Sequence, residues 1–303
     1  MTIQDLPSAA SRYSRQQRVL IAAAVASIGR QWRRIDASDI ATSFAIALPG
    51  MTAVTDLAQE RIAVGAAQYV PEVLEETGQT RHLPAPDGET RPAGFVGIDG
   101  TGRPIDTLMF GAVVQARMSL ANGLTERQAL VRAGSWLSLV VSTALSDTGR
   151  AAETVGMATH HVGGYVRMLT PPSCSRCAIL AGRWYRDSVA FQRHPHCDCR
   201  HIPASESIGD DMAVNATEYF DSLSGAEQDR IFTIDGAEAI RNGADPAQVV
   251  NARRGMSRAG QAYTTAGRRA IGRGVRMTPE GIRRAATSHD DYIRLLRDHG
   301  YVR

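Results

Sequence analysis

The sequence predicts a mainly α-helical protein of the α+β type, built around one small antiparallel β-hairpin. Long segments with apolar residues at helical spacing predict the helices, and two short segments of alternating residues predict the hairpin. All four cysteines lie within residues 174–201. With 303 residues, 43% of them hydrophobic, the chain can bury one or two cores. We therefore expect a helical N-terminal arm and a helical body around a hairpin that a Cys/His cluster clamps.

A helical arm is predicted over residues 1–80. Its two helices cover residues 8–48 and 52–77, and the second has apolar residues close to helical spacing. Pro49 and Gly50 separate the two helices, because both residue types interrupt helical structure.

A loop is expected to follow the arm. Residues 77–104 are dense in Pro, Gly, Thr and Asp, which favours an exposed connection with one short strand at Phe95–Ile98. The glycines of "GIDGTGRP" lack the strand-to-helix context of a nucleotide-binding loop and indicate a turn. We assign residues 81–104 as the linker between the arm and the main body.

The main body, residues 105–252, is predicted to begin with three helices. They cover residues 106–121, 125–146 and about 148–161. The second begins at a capping box, in which Thr125 and Gln128 have the required spacing. Helices return after Pro203, and their predicted bounds are 217–223, 226–232, 235–242 and 246–252.

The predicted hairpin lies between these two sets of helices. Gly163 and Gly164 end the preceding helix, and "YVRMLT" then alternates as a short strand before Pro171. After the first two cysteines, "WYRDSVAF" alternates in the same way. We therefore expect the cysteine region, residues 174–201, to form a small antiparallel hairpin flanked by helices.

The last region, residues 253–303, is predicted to hold an arginine-rich loop followed by two helices. The final helix has an N-cap at Ser288, with Asp291 at capping-box spacing, and Gly300 is placed as its C-cap. Residues 253–276 hold seven arginines and no acidic residue, so this loop has little reason to pack alone.

Charge is unevenly distributed along the chain, whose net charge is +3. Residues 1–35 hold six arginines and one acid, and residues 251–303 hold twelve arginines and four acids, so the part between them is acidic. Guanidinium groups pair with phosphate and with carboxylate, which favours nucleic acid or an acidic partner at the ends. The alternative is that the arginines are solvated and contact nothing. The candidate contact residues are Arg253, Arg254, Arg268, Arg269, Arg273 and Arg276.

The composition and the motifs do not indicate an enzyme. All 34 basic residues are arginine, which excludes a lysine nucleophile or Schiff base. The sequence contains no P-loop, G-x-S-x-G, H-E-x-x-H or dinucleotide-binding pattern. We therefore expect neither catalysis nor a small-molecule substrate.

We also expect no signal peptide and no membrane. The N-terminal apolar run ends without a small-residue cleavage site, and no apolar stretch reaches the about 18 residues that span a bilayer. The cysteines are therefore expected in a reducing cytosol, where clustered cysteines bind a metal more often than they form disulfides.

The cysteines have the spacing of a metal site. Cys174 and Cys177 form a C-x-x-C knuckle, which directs two thiolates at one ion from a tight turn. Cys197 and Cys199, with His194 beside them, can supply the remaining ligands across the hairpin. The pattern predicts one zinc, held by Cys174, Cys177 and Cys199 with Cys197 or His194 as the fourth ligand.

Two other interpretations of the cluster remain open. Two disulfides would cross-link the same hairpin. A catalytic thiol would require one cysteine beside His194 or His196, and His201 is a third imidazole in the same segment. Four cysteines in so short a segment more often bind or cross-link than leave one thiol reactive.

The cluster runs C-x-x-C-x-x-L-x-G-R and then F-x-R-H-P-x-C-x-C. These positions are Cys174, Cys177, Leu180, Gly182, Arg183, Phe191, Arg193, His194, Pro195, Cys197 and Cys199. This order resembles the signature of the phage Mu F-like (MuF) minor head proteins, in particular those of tailed phages of actinobacteria. Segments such as "YFDSLSGAEQDRIFT" and "LLRDHGYV" also resemble the family, so the likeness covers roughly residues 105–303. His196 departs from it, because the family commonly has Asn there.

The resemblance implies a virion component, a portal-associated minor capsid or head morphogenesis protein acting in capsid assembly and in DNA packaging or delivery. Its partners would be the portal protein, the major capsid protein and packaged DNA, and it would reach the virion after assembly in the host cytoplasm. One alternative is a cysteine-dependent capsid maturation protease, with Cys174 or Cys197 as nucleophile and His194 as base. Another is a DNA-binding virion protein that uses its arginine-rich ends.

Overall fold

The computed structural model describes residues 6–169, 173–187, 200–209, 215–253, 262–264 and 276–302. Its helices are α1 (Ser8–Trp32), α2 (Ile40–Glu76), α3 (Ile105–Ala121), α4 (Glu126–Thr159), α5 (Ser175–Ala178), α6 (Glu206–Gly209), α7 (Ala216–Asp221), α8 (Gly225–Phe232), α9 (Ile234–Arg241), α10 (Pro246–Ala252), α11 (Pro279–Ala285) and α12 (His289–Asp298). Its strands are β1 (Gly164–Met168), β2 (Trp184–Arg186), β3 (Arg200–Pro203), β4 (Tyr263–Thr264) and β5 (Arg276–Met277). The prediction of a mainly helical protein with a small antiparallel sheet is confirmed.

The described residues divide into two compact units. The N-terminal unit holds residues 6–167 and 184–209, and the C-terminal unit holds the described residues of 168–183 and 212–302. Each unit is described by itself below.

Helices α1 to α4 build the core of the N-terminal unit. Each contributes a deeply buried apolar side chain: Ile28, Phe44, Met109 and Leu137 are no more than 1% exposed. The helices of the predicted arm therefore share one hydrophobic core with the first helices of the predicted body. The two compact units of the structure therefore meet in sequence near residue 168, whereas the predicted boundary between arm and body is the linker at residues 81–104.

The helix break predicted at Pro49 and Gly50 is wrong, because α2 continues through both residues. Phe44 and Met51, on either side of the proline, are buried in the core. An interior proline costs about 3 kcal/mol in a helix. The burial of apolar residues on both sides of Pro49 offsets this cost. Local helix propensity does not include such burial, so it predicts a break here.

The chain turns instead at residues 33–39. The Asp36 carboxylate accepts hydrogen bonds from the N–H and the hydroxyl of Ser38. Asp39 is the N-cap of α2, and its carboxylate accepts the Thr42 N–H at 3.2 Å. Short acidic and hydroxyl side chains therefore end one helix and begin the next.

Helix α4 is a single helix of 34 residues, where the sequence predicts helices at 125–146 and about 148–161. Its start is confirmed, because Thr125 and Gln128 form the predicted capping box. Residues 144–150 are all buried. The polar residues Ser146, Asp147, Thr148 and Arg150 are among them, so burial here does not follow the alternation of apolar and polar residues on which the predicted break depends.

The loop predicted after the arm contains two 3₁₀ turns, Gln79–Arg81 and Pro92–Phe95. The strand predicted at Phe95–Ile98 is not formed in this described segment. Only an isolated bridge pairs Ile98 with Pro104. The apolar residues there pack as a turn and lack a neighbouring strand to pair with.

Asp99 organises the turn predicted at "GIDGTGRP", which is confirmed. Its Oδ1 accepts the N–H of Thr101 at 2.8 Å and of Arg103 at 3.0 Å. Burial raises the pKa of Asp99, but hydrogen bonds from Thr101 and Arg103 outweigh it and hold that pKa at about 2. Gln59 of α2 accepts the Gly97 N–H and donates to the Ile98 carbonyl, which attaches the turn to the helix.

The two strands predicted around the cysteines are confirmed and pair antiparallel. β1 lies between β2 and β3 in a three-stranded sheet. Tyr165 of β1 lies opposite Tyr185 of β2, and their rings stack with centroids 5.5 Å apart. The backbone of Gly164 passes directly under Trp184, where any side chain would overlap the indole.

The described part of the C-terminal unit consists mainly of short helices. Helices α7 to α10 begin and end within two residues of their predicted bounds. Ser288 caps α12 by accepting the Asp291 N–H, and Gly300 has a positive φ of 69° after its C-terminal end. Both predicted caps are therefore confirmed, and β4 pairs with β5 in a second, unpredicted, two-stranded sheet.

By length and composition alone, α2 and α4 could each cross a membrane. Core helices of soluble proteins pass the same test. Both helices contribute buried residues to the N-terminal core. Of the apolar 18-residue window in each helix, 22% is buried in α2 and 39% in α4.

Two tryptophans pack against glycines where helices of the N-terminal unit cross. A Cβ at Gly134 of α4 would lie 2.7 Å from Cδ1 of Trp32, whose indole N–H donates to the Leu130 carbonyl at 2.9 Å. A Cβ at Gly111 of α3 would likewise overlap the ring of Trp136 in α4. The glycines therefore permit the close approach of α1 and α3 to α4.

Gly134→Ala is expected to destabilise the protein by about 1–3 kcal/mol, because the added methyl group must displace the Trp32 ring. At an ordinary helical position the same change stabilises by up to about 1 kcal/mol. Gly29→Ala on α1 is the matched control, since its new methyl group would have its nearest neighbour 3.9 Å away. Urea unfolding followed by far-UV circular dichroism gives both values. A Gly134→Ala protein as stable as the Gly29→Ala protein would contradict this packing.

Candidate functional site

The short helix α5 of the C-terminal unit brings the first two cysteines together. Cys174 is its N-cap, and Cys174 Sγ accepts a hydrogen bond from the Cys177 N–H at 3.4 Å. The two sulfur atoms also lie 3.4 Å apart. Cys177 is buried and Cys174 is partly exposed. The C-x-x-C spacing therefore brings both thiols together, as the sequence predicts.

Tyr219 of α7 holds the residue that precedes this turn. Its hydroxyl accepts the Ser173 N–H and donates to the Ser173 carbonyl, each at 2.8 Å. Tyr219 is fully buried, so water does not compete for these hydrogen bonds. It is a positioning residue that the sequence analysis missed. Its only sequence signal is a large aromatic residue in a short helix.

The sulfur separation is closer to that of two thiolates on one metal ion than to that of a disulfide. Thiolates bound tetrahedrally to zinc at about 2.3 Å lie about 3.8 Å apart, whereas disulfide sulfurs lie about 2.0 Å apart. The other predicted ligands, His194, Cys197 and Cys199, lie outside the described residues. Among the residues that the structure does describe, no group of three or more His, Cys, Asp or Glu is placed to hold a metal. The structure thus describes two of the predicted ligands, Cys174 and Cys177, with their sulfur atoms 3.4 Å apart and no disulfide between them.

His201, at the end of the cysteine-rich segment, is buried in the N-terminal unit. Its Nδ1 lies 3.4 Å from Oε2 of Glu153 on α4, and its ring packs on Tyr165 with centroids 3.9 Å apart. Glu153 is fully buried, and a buried carboxylate requires polar partners because desolvation disfavours its charge. This imidazole therefore belongs to the interior of the unit. The sequence signal for Glu153 is a single acid among the small and apolar residues of "AAETVGMA".

Two side chains from the first third of the chain anchor β3. The Tyr69 hydroxyl donates to the His201 carbonyl at 2.6 Å. Gln79 donates to the Pro203 carbonyl at 3.1 Å and accepts the Ser205 N–H at 2.8 Å. More than 120 residues separate these partners along the chain, so no local pattern indicates the contacts.

Two of the six arginines predicted to contact nucleic acid or a partner are described by the structure. Arg253 lies at the C-terminal end of α10, and its Nε is 3.9 Å from Glu280 Oε1. Its side chain is 37% exposed, so it can still reach a partner. The four arginines outside the described residues are Arg254, Arg268, Arg269 and Arg273.

Arg276 is not available for the predicted contact, because it is fully buried in the C-terminal unit. Its guanidinium carbon lies 4.0 Å from the centroid of the Tyr301 ring, and its Nε donates to the His299 carbonyl at 3.0 Å. Burial lowers the pKa of Arg276 and raises the pKa of Tyr301. The Tyr301 hydroxyl donates to the Met277 carbonyl at 2.7 Å. The arginine therefore attaches the end of the chain to β5, a tertiary contact that its neighbours in sequence do not indicate.

A groove of about 570 Å³ lies between α1 and α4 in the N-terminal unit. Trp32, Leu130 and Val131 contribute apolar walls, and Arg33 and Arg127 also line it. The sequence does not predict this groove, since its two walls come from helices about 100 residues apart.

Comparison of the chain with protein-family models, with curated proteins and with solved structures found no significant match. The resemblance to the phage Mu F-like proteins therefore rests on the residues that carry the signature.

Arg276→Gln is expected to destabilise the C-terminal unit by about 2–4 kcal/mol, because it removes a buried cation–π contact and the charged donor to the His299 carbonyl. Arg253→Gln is the control, and the loss of its exposed charge pair costs less than about 1 kcal/mol. Hydrogen-exchange mass spectrometry of residues 276–302 measures both effects. Equal protection of these residues in the two variants would show that Arg276 does not hold the unit together.

Proposed function

We propose that this chain is a structural protein of a tailed-phage virion, a minor capsid or head morphogenesis protein that associates with the portal. The residue order of the cysteine-rich segment carries the proposal. The folded turn at Cys174 and Cys177 supports it, because two thiols 3.4 Å apart form the knuckle that the signature requires. In this function the protein acts in capsid assembly and in DNA packaging or delivery.

A zinc ion would cross-link the cysteine-rich segment in this protein. Its ligands would be Cys174, Cys177 and Cys199, with Cys197 or His194 as the fourth. The zinc would contribute folding free energy to a segment too short to bury a core of its own. The burial of Cys177 supports a structural thiol, since reactive cysteines are usually accessible and lie in electropositive surroundings.

The basic ends of the chain supply the proposed contacts to acidic surfaces. Packaged DNA and acidic patches on the portal or the major capsid protein are suitable partners for clustered arginines. In the N-terminal basic segment, Arg12 is already paired with Glu72 of α2 at 3.0 Å. In the C-terminal segment, Arg253 lies 3.9 Å from Glu280 and keeps a side chain that is 37% exposed, so it can contribute to this contact.

Protein purified without chelator is expected to contain one zinc per chain, because the described thiol pair fits two of its four ligands. Cys174→Ser and Cys177→Ser should each reduce the zinc content to a small fraction of this value. Arg176→Ser, an exposed change between the two cysteines, is the matched control and should retain the metal. Elemental analysis together with a thiol count separates the cases. Absence of zinc together with absence of thiols would establish disulfides instead.

The virion assignment predicts that the protein is present in purified virions or procapsids at a few copies per particle. Quantitative mass spectrometry of both particles, with the portal protein as the internal standard, measures this. The mass of the major capsid protein in particles with Cys→Ala changes at all four cysteines provides a second measurement, and we expect it to be unchanged. Absence from both particles would refute the assignment, and a change in capsid protein mass would favour the protease.

A further inference from the structure

Helix α3 has two apolar faces, and only one is covered within the N-terminal unit. Met109, Ala112, Val113 and Ala116 are fully buried against the core. On the opposite side, exposed residues follow one another at spacings of three and four. They are Thr107, Phe110, Val114, Met118 and Ala121, and Arg117 is exposed beside Met118. This spacing is that of a seam along which two helices pack.

The exposed face is apolar at its centre and charged at its ends. Phe110, Val114 and Met118 are 49%, 43% and 54% exposed. One edge of the Phe110 ring contacts Phe44 of α2, with ring centroids 6.3 Å apart, and the rest of the ring faces outward. Asp106, at the start of the helix, and Arg117, in its last two turns, are both exposed. They lie eleven residues apart, about 16 Å along the helix axis, so they do not contact each other within one chain.

We propose that this face is the interface of a homodimer in which α3 packs antiparallel against α3 of a second copy. A two-fold axis near residue 112 would place Phe110 opposite Val114 of the second copy. It would also bring Asp106 within one residue of Arg117 of the second copy, and symmetry repeats both contacts. The charge pattern is therefore complementary to itself when the helices run antiparallel.

The charges select this arrangement over a parallel one. In a parallel pair, Asp106 would face Asp106 and Arg117 would face Arg117, and like charges at such spacing are unfavourable. Antiparallel helices also place opposite ends of their dipoles together. One helix face per copy falls at the small end of specific interfaces, below about 1,200 Å² of total buried area, so the dimer should depend on protein concentration.

The test is sedimentation velocity of the full chain over a range of concentrations, with four variants. Asp106→Arg and Arg117→Asp should each raise the dimer dissociation constant at least tenfold. Either change gives residues 106 and 117 the same charge, and the two-fold axis creates two such repulsive contacts in each dimer. The double variant Asp106→Arg/Arg117→Asp should restore dimerisation to within about threefold of the parent protein. Val114→Arg should also weaken the dimer at least tenfold.

Val131→Arg is the matched control, since Val131 is an apolar residue, 64% exposed, that belongs to α4 and lines the groove between α1 and α4. It should leave the dissociation constant unchanged. Restoration by the double variant would require Asp106 and Arg117 to meet between copies, because they cannot meet within one helix. A monomer at every concentration, a dimer that is indifferent to Val114→Arg, or a double variant weaker than both single variants would overturn the proposal.

Discussion

The N-terminal unit depends on how closely its helices approach α4. Trp32 lies over Gly134, and Trp136 lies over Gly111, so aromatic rings occupy space that any larger residue would take. These crossings allow α1, α2 and α3 to share one core with α4. Because α4 continues for 34 residues, its C-terminal half also reaches the three-stranded sheet and carries Glu153 to His201. One uninterrupted helix thus connects the core to the strand that follows the cysteines.

Distant buried residues position both ends of the cysteine-rich segment. At its start, Tyr219 holds Ser173 through two hydrogen bonds. At its end, Tyr69 and Gln79 hold the carbonyl groups of β3. Buried hydrogen bonds of this kind favour one conformation because leaving them unmade is costly.

Features with a local cause were predicted correctly. The capping box at Thr125, the cap at Ser288, the Asp99 turn and the C-x-x-C turn each depend on side chains within a few residues of the backbone groups that they bind. Features with a tertiary cause were missed or predicted wrongly. The break at Pro49 and the second break within α4 followed local propensity and periodicity, which core burial overrides. Arg276 was predicted to contact a partner because it lies in an arginine-rich stretch. In the structure it is buried and forms a cation–π pair with Tyr301.

The sequence by itself determined where most helices begin and end, which strands flank the cysteines, and that two thiols meet at α5. Short-range hydrogen bonds and side-chain periodicity decide these features, and both depend on residues that are close together in the sequence. Only the tertiary structure decided which helices share a core, that Glu153 and His201 lie buried together, and that one face of α3 stays uncovered within the N-terminal unit. Those outcomes depend on contacts between residues that are tens to more than a hundred positions apart, and no local pattern encodes such contacts.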